Sequence, residues 1–313
     1  MFGFKKKREL RNGVIEKTTS YMMAVPRNIE IIKNPNEVIE RLKNSSLFVV
    51  QNVEFRQNIE AIIEYEEEAY KVEIIPETYE LGPMYTINHH LSEENYNIIT
   101  QSDSGLTVAM TFGEDILKSY HLQLKILYTI VPNMAGVIDF CVERVLSSIW
   151  VKLAVEASVP PSPDYIYTVQ AVSGKNNDVW LHTHGLNRCG AIEVEVVNSD
   201  TENYKNHFYI LQTLGKRIIS DNTFIDEEDA FWIGRMNNGD DIVATWIDYN
   251  EALKMYKRDM VGGFNDRKEG HNENTGIVYL YLSEEDFKNK KYRHVSEAVS
   301  YTHLRAHETL ANL

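Results

Sequence analysis

Two histidines separated by one residue, His182 and His184, are the sharpest candidates for chemistry in this 313-residue sequence. In a β-strand, side chains two positions apart lie on the same face, so the two imidazole rings could bind one metal ion. A zinc or iron site needs at least a third protein ligand, and Glu193, Glu195 and His207 are the candidates nearby. With such a ligand, the pair would suit a metal-dependent hydrolase or another enzyme; without one, it is a structural part of its strand.

The segment between Gly185 and Gly190, directly after the histidines, could be a phosphate-binding loop. It lacks the glycine spacings of the dinucleotide-binding and P-loop motifs. We therefore expect the two glycines to mark positive φ or close backbone packing. Asn187 and Arg188 on this segment, with Glu193 just after it, are further candidates for a functional surface, and their pattern indicates no particular cofactor.

Motifs of the common enzyme classes are absent from the sequence. It contains no Gly-x-Ser-x-Gly elbow, no Cys-x-x-Cys pair and no His-Glu-x-x-His motif. The acidic run Glu66–Glu68, with Glu64 before it, predicts a solvated edge or turn rather than a cation site.

The charge balance argues against nucleic acid as a partner. The chain has 32 Lys and Arg residues against 46 Asp and Glu residues, which gives a formal net charge of −14 at pH 7. Such a surface repels a polyanion on average. The one basic cluster, at residues 5–11, predicts a solvated tail over residues 1–20, the alternative being an arm that contacts nucleic acid or lipid headgroups.

Cysteine content and hydropathy favour a cytoplasmic protein. Two cysteines, Cys141 and Cys189, are fewer than a secreted domain of this size often carries. No run of 18 apolar residues predicts a membrane span, and no apolar stretch of a signal peptide follows the basic start. We therefore expect a cytoplasmic location and no membrane partner.

The last residues differ in character from the rest of the chain. Residues 300–309 match the translation, in one frame, of a transposase-tagmentation sequencing adapter, and Val299 fits the adapter codon before them. We therefore expect residues 298–313 to be a non-native tail. On this interpretation its histidines belong to no metal site, and the natural protein continues beyond Glu297 into a C-terminal module.

The N-terminal part of the sequence predicts a small α+β unit over residues 21–104. Asn34 as N-cap, Pro35 and Glu37 predict a helix that runs to about Lys43. Alternating segments predict strands at 47–55, 59–66 and 70–75. The turn-rich residues 101–105 then predict a domain boundary.

A larger α+β unit is predicted over residues 105–297. Its first helix opens at Gly113–Asp115, and apolar residues at i, i+3 and i+4 spacing from Leu117 to Val131 predict one apolar face for it. A second helix is expected over Arg144–Ala157 with Val145, Ile149, Leu153 and Ala154 on its apolar face. Further strands are expected at 165–172, 179–184, 192–197 and 277–282, and helices at 202–219, 250–258 and from 283. The Asn-Gly step at 238–239 predicts a hairpin. Together the elements predict an α+β fold of two packed α/β units with mixed, mostly antiparallel sheets.

Three stretches of the sequence carry a family resemblance: Lys118–Lys125 with Val131-Pro132, Ser158–Tyr165 with Thr168–Val172, and Trp180–Gly190. Together they resemble an uncharacterised bacterial family catalogued as domain of unknown function 4026, over about Met22 to Glu297. The resemblance implies no activity and no catalytic residue. It does imply a further small module after the chain, since similar proteins often continue into one.

Two functions are therefore expected from the sequence. The first is a non-catalytic binding or interaction module whose partner is another protein or the module beyond Glu297, because no catalytic motif is present and the chain is acidic. The alternative is a metal-dependent enzyme that uses His182 and His184.

Overall fold

The capping signals at Asn34 start a helix as predicted. In the computed structural model, helix α1 runs over Pro35–Lys43, and the Asn34 side chain accepts a hydrogen bond from the Glu37 amide. The structure describes residues 15–87, 90–173, 177–220, 231–235, 241–248, 275–281, 289 and 293–294. These residues form an α+β fold in two units, the first over residues 17–166 and the second over the described residues from 167 onward together with residues 15 and 16.

An eight-stranded sheet forms the centre of the first unit, in the order β2-β3-β4-β6-β1-β7-β8-β5. Neighbouring strands are antiparallel except for the parallel pair of β5 and β8. The strands are β1 (Ser20–Pro26), β2 (Val49–Phe55), β3 (Ile59–Tyr65), β4 (Glu68–Thr78), β5 (Thr86–Ile87), β6 (Ser104–Met110), β7 (Met134–Asp139) and β8 (Arg144–Ser147). The predicted segments 47–55, 59–66 and 70–75 correspond to β2, β3 and β4.

Three more helices pack on this sheet or on one another: α2 (Glu93–Gln101), α3 (Ile116–Ile130) and α4 (Ser148–Glu156). The sequence predicts one apolar face for α3, but the helix is buried on nearly every side, polar residues included. Gln123 shows how such a residue is accommodated, because its amide donates hydrogen bonds to the carbonyls of Ser20 (3.1 Å) and Val108 (2.8 Å). These bonds satisfy the buried amide and join α3 to β1 and β6.

The division between the units differs from the predicted one. Residues 101–105 predict a boundary, yet β6 begins at Ser104 and pairs with both β4 and β1 in the middle of the first sheet. The structure divides the chain between Ile166 and Tyr167 instead. A cluster of turn residues marks a reversal of the chain, and it does not show whether the next strand joins the same sheet.

The helix predicted over Arg144–Ala157 begins later than expected. Residues 144–147 form strand β8, and α4 begins only after Ser147, whose hydroxyl accepts a hydrogen bond from the Trp150 amide. The predicted apolar face is therefore wrong in part: Ala154 is buried as predicted, but Ile149 and Leu153 are 68% and 61% exposed, and Val151 and Val155 are buried instead. The β-branched Val145 suits a strand, and the strand shortens the helix and changes its buried face.

A seven-stranded sheet forms the second unit. Six strands follow the order β12-β13-β14-β11-β10-β9, with β15 paired to β14, and only β11 and β14 are parallel. The strands are β9 (Thr168–Ser173), β10 (Asp178–His184), β11 (Glu193–Asp200), β12 (Phe231–Arg235), β13 (Asp241–Asp248), β14 (Thr275–Tyr281) and β15 (Arg293–His294). Helix α5 (Tyr204–Ser220) packs against β9, β10 and β11.

Several predicted elements can be placed in this second sheet. Strands β12 and β13 pair as the predicted hairpin, and α5 matches the helix expected over 202–219. The Asn-Gly turn, the helices expected at 250–258 and from 283, the basic residues 5–11 and the tail over 298–313 lie outside the described residues. Within the described part of the chain, every helix is too short or too polar to span a membrane.

Candidate functional site

Strand β10 places Trp180, His182 and His184 on one face, as the alternation of the strand predicts. The ring of His182 stacks on the indole of Trp180, with centroids 3.8 Å apart and planes inclined by 23°. The ring of His184 meets His182 edge-on at 4.5 Å. His182 is only 3% exposed, so it is held between two aromatic rings inside the second unit.

The candidate third ligands of a metal site make other contacts. The carboxylate of Glu195 accepts a hydrogen bond from the Trp180 indole nitrogen at 2.9 Å. Nδ1 of His207 lies 2.6 Å from the Ser199 hydroxyl, with which it shares a hydrogen bond. Among the residues that the structure describes, no three His, Cys, Asp or Glu side chains form a group that could hold a metal ion.

Glu193 is the centre of the polar cluster at the end of β10. One carboxylate oxygen accepts hydrogen bonds from the amides of Gly185 (2.8 Å) and Asn187 (3.1 Å). The other accepts one from the Thr183 hydroxyl at 2.7 Å, and that hydroxyl in turn accepts from the Val194 amide at 2.9 Å. A single buried carboxylate therefore connects β10, the turn after it and β11.

Burial raises the pKa of Glu193 above the usual range of a carboxyl group. The hydrogen bond from Thr183, the charge of His184 and the amides of Asn187 and Gly185 act in the opposite direction without cancelling it. A raised carboxyl pKa is common at active sites, but a buried carboxylate that holds a turn shows the same shift. All three donors around Glu193 belong to the turn or its strands, which favours the structural role.

The glycines of this turn have the conformation expected of them. Gly185 and Gly190 have φ values of 102° and 84°, in the left-handed region that favours glycine. Between them, Asn187–Cys189 form one turn of 3₁₀ helix. Arg188 and Glu193 are buried, so they do not form the surface expected for them, and only Asn187 is partly exposed. The closeness of these residues to the two histidines in the sequence does not reveal their burial, because burial depends on the strands packed around the turn.

A second candidate site lies on the first unit, where β2 forms one edge of the sheet. This strand of seven residues pairs with β3 and with no other described strand. None of its residues is fully buried, and Val49 and Phe55 are 61% and 52% exposed. The described residues thus leave one long side of β2 open to solvent.

A row of carboxylates crosses the outer face of the sheet next to this edge. Glu54 on β2 lies opposite Glu60 on β3, and Glu60 lies opposite Glu73 on β4. Glu64 lies on the same face, because β3 alternates buried and more exposed side chains. We call Glu54, Glu60, Glu64 and Glu73 the acidic face. The alternation of each strand is visible in the sequence, but the alignment of three strands is not.

An open cleft of about 640 Å³ lies where α1 and α3 end. Its lining includes Arg41, Ser45 and Thr129. The guanidinium of Arg41 donates hydrogen bonds to the Ile130 carbonyl (2.7 Å) and the Glu37 carboxylate (2.6 Å). Arg41 therefore caps the end of α3, which has no basic residue in its own last turn.

Comparison with known protein families covers both units. Residues 20–161 match the family model described as "Protein of unknown function (DUF4026) N-terminal", and residues 167–279 match the model described as its C-terminal part. The gap between the two matches, residues 162–166, ends at the structural division between residues 166 and 167. No curated protein and no solved structure gave a match.

Proposed function

The chain belongs to the DUF4026 family of proteins of unknown function, and from this premise we propose that it is a non-catalytic interaction module of the bacterial cytosol. It binds an extended segment of a partner protein, which adds to the first sheet as a further strand beside β2. The observation that carries this proposal is the open side of β2, seven residues long and exposed at both ends.

Strand addition follows from the chemistry of an open edge. Backbone amides and carbonyls on the open side of an edge strand have no partner within the sheet, and an extended peptide supplies partners for them. The register of β2 shifts between Val50 and Asn52, a device that natural sheets use to limit edge pairing. Residues 52–55, beyond this irregularity, are paired regularly with β3 and form the straighter part of the edge.

The polar cluster in the second unit supports a non-catalytic role. Glu193, the carboxylate whose pKa burial raises, is hydrogen-bonded to the turn that it holds. For a metal ion, the described residues provide only two neighbouring imidazoles. The acidic balance of the chain disfavours nucleic acid as the partner. Cys141 and Cys189 form no disulfide, which suits a reducing compartment.

The proposal is tested with an uncharged extended peptide. A fluorescein-labelled peptide of alternating Thr and Val, as long as β2, is titrated with the full chain and followed by fluorescence anisotropy. We expect saturable binding, with slower hydrogen exchange in residues 49–55 of the complex. The matched controls are two peptides that are N-methylated at alternate residues, one at the odd positions and one at the even positions. At least one of them loses the backbone N–H donors that pair with β2, and that peptide should not bind.

Two results would overturn the proposal. One is the absence of a saturable anisotropy change. The other is binding that protects a different part of the chain and leaves the exchange of residues 49–55 unchanged. Elemental analysis of the purified protein gives an independent check: stoichiometric metal that is lost in His182→Ala would favour the metal-dependent enzyme instead.

A further inference from the structure

We infer that the segment bound at β2 is itself amphipathic, with Lys or Arg at alternate positions on one face and apolar residues on the other. This inference rests on the proposed function and adds the chemistry of the partner. The observation behind it is the acidic face, whose carboxylates lie in register across three strands beside the open edge.

Few positive charges neutralise the acidic face. Glu54 forms an ion pair with Arg56 at 2.9 Å, in which both side chains are at least half exposed. Glu73 accepts a hydrogen bond from the Asn58 amide at 2.7 Å, and Gln51 donates one to Glu64. These amides carry no charge. In the described part of the chain, Glu60, Glu64 and Glu73 form no ion pair with a Lys or Arg side chain.

One lysine shares the outer face with these carboxylates. Lys71 on β4 lies directly opposite Ile62 on β3, so it is diagonal to the glutamates rather than facing one of them. The outer face of β2, β3 and β4 therefore keeps an excess of negative charge even when Lys71 and Arg56 are counted. Its centre is the row from Glu54 to Glu73.

Like charges directly opposite one another destabilise a sheet. The pairs formed by Glu54 with Glu60 and by Glu60 with Glu73 are such contacts, and side chains of opposite charge there would stabilise the sheet instead. A strand added beside β2 continues this row, since the residue that it places opposite Glu54 lies on the same outer face. A Lys or Arg at that position reduces the repulsion, and Glu or Asp increases it.

The inner face of β2 explains why the other side chains of the bound segment are apolar. Val53 and Phe55 lie opposite Ala61 and Ile59, which are buried, so these two side chains point toward the core side of the sheet. Phe55 is nevertheless 52% exposed, because no strand among the described residues lies beyond it. An added strand would cover this apolar surface with every second side chain, and the bound segment therefore alternates basic and apolar residues.

The experiment compares three labelled peptides of equal length: Lys alternating with Val, Thr alternating with Val, and Glu alternating with Val. All are titrated with the full chain. We expect the Lys peptide to bind most tightly and the Glu peptide most weakly, and we expect added salt to weaken only the binding of the Lys peptide. If no peptide binds, the edge is merely protected by its charges and the proposed function fails. If all three bind equally, strand addition stands and this inference fails.

Single variants locate the charge that matters. Neighbouring strands lie about 5 Å apart, so Glu54, Glu60 and Glu73 lie about 5, 10 and 15 Å from an added strand. Charges farther away than about 8 Å are largely screened at physiological ionic strength. Glu54→Gln should therefore weaken binding of the Lys peptide about threefold, Glu60→Gln less, and Glu73→Gln least.

Glu80→Gln is the matched control, because Glu80 is exposed and lies beyond the end of β4. It removes the same charge from the chain and should leave the affinity of the Lys peptide unchanged. An equal loss in Glu80→Gln and Glu54→Gln would show that only the net charge of the protein matters, and would overturn the assignment to the acidic face. The Thr peptide should bind all four variants like the unaltered chain.

Discussion

The Glu193 carboxylate accepts a hydrogen bond from the Thr183 hydroxyl at 2.7 Å, across the antiparallel strands β10 and β11. Its other oxygen receives the amides of Gly185 and Asn187, which belong to the turn between these strands. The two bonds from the turn satisfy backbone amides that would otherwise lack an acceptor. The contact thus fixes the turn in the place where the sequence suggested a reactive site.

Glu193→Ala should therefore loosen this turn. Loss of the carboxylate leaves the two amides without an acceptor, and we expect a cost of about 2–3 kcal/mol in the stability of the second unit. Glu193→Gln should cost less, since its amide oxygen still accepts from both amides and its nitrogen can donate to Thr183. Hydrogen exchange at Gly185 and Asn187 measures the effect. If exchange is equally slow in the Ala variant, the carboxylate does not hold the turn.

The local features of this site could be predicted from the sequence. Alternation along a strand places His182 and His184 on one face, and glycine at 185 and 190 indicates positive φ. The partners of Glu193 could not be predicted, because its hydrogen bonds depend on the register between β10 and β11. The burial of Arg188 escaped prediction for the same reason.

In the fold, too, features set by neighbouring residues could be predicted from the sequence, whereas pairings between distant segments could not. The start of α1 follows from Asn34 and its neighbours, whose contacts are three residues apart. The order of strands in the first sheet does not follow from such signals, because β6 pairs with β1, more than 80 residues earlier, as well as with β4. The open edge at β2 and the alignment of Glu54 with Glu60 are consequences of that order.

The hairpin between β3 and β4 predicts a stabilising substitution. Tyr65 pairs with Glu68, so Glu66 and Glu67 alone form the turn, with φ values of 47° and 70°. Two-residue hairpins of this kind favour Asn followed by Gly, since other residues are strained at positive φ. Glu67→Gly should raise the stability of the first unit by about 1 kcal/mol.

Glu67→Ala is the control for this hairpin. It removes the same carboxylate but keeps a Cβ atom at positive φ, and we expect little or no gain in stability. Both variants are compared with the unaltered chain by urea unfolding, with exchange of the β3 and β4 amides assigning the change to the first unit. Equal stabilisation by Ala and Gly would attribute the effect to lost charge repulsion rather than to relief of backbone strain.

Because Arg41 caps α3, its ion pair should contribute more to stability than the exposed ion pair of Lys33. Arg41 is one-third exposed and bonds to both Glu37 and the Ile130 carbonyl, so Arg41→Ala should cost about 1–2 kcal/mol. Lys33 pairs with Glu30 at 3.1 Å with both side chains largely exposed, and Lys33→Ala should change stability by less than about 0.5 kcal/mol. The measurement is the melting temperature of the two variants in thermal unfolding. If both variants lower it equally, the cap contributes nothing beyond a surface ion pair.

Acid sensitivity of the first unit should depend on His121. Nε2 of this residue lies 2.8 Å from the Ala154 carbonyl and joins α3 to α4, and the ring is buried. Burial, followed by the charge of Lys125 one turn along the helix, lowers the pKa of His121 below its ordinary value of 6.5. The unfolded chain therefore binds a proton more readily than the folded one between these two pKa values.

It follows that His121 contributes stability above about pH 6.5, and that this contribution is lost as the pH falls through its lowered pKa. The free energy of unfolding should decrease between about pH 7.5 and about pH 5.5, and should decrease less in His121→Gln, whose side-chain amide can still donate to Ala154 without titrating. Lys125→Met should also reduce the loss, because it removes the positive charge that opposes protonation. If the unaltered chain and His121→Gln show the same dependence on pH in urea unfolding, His121 is not the group responsible.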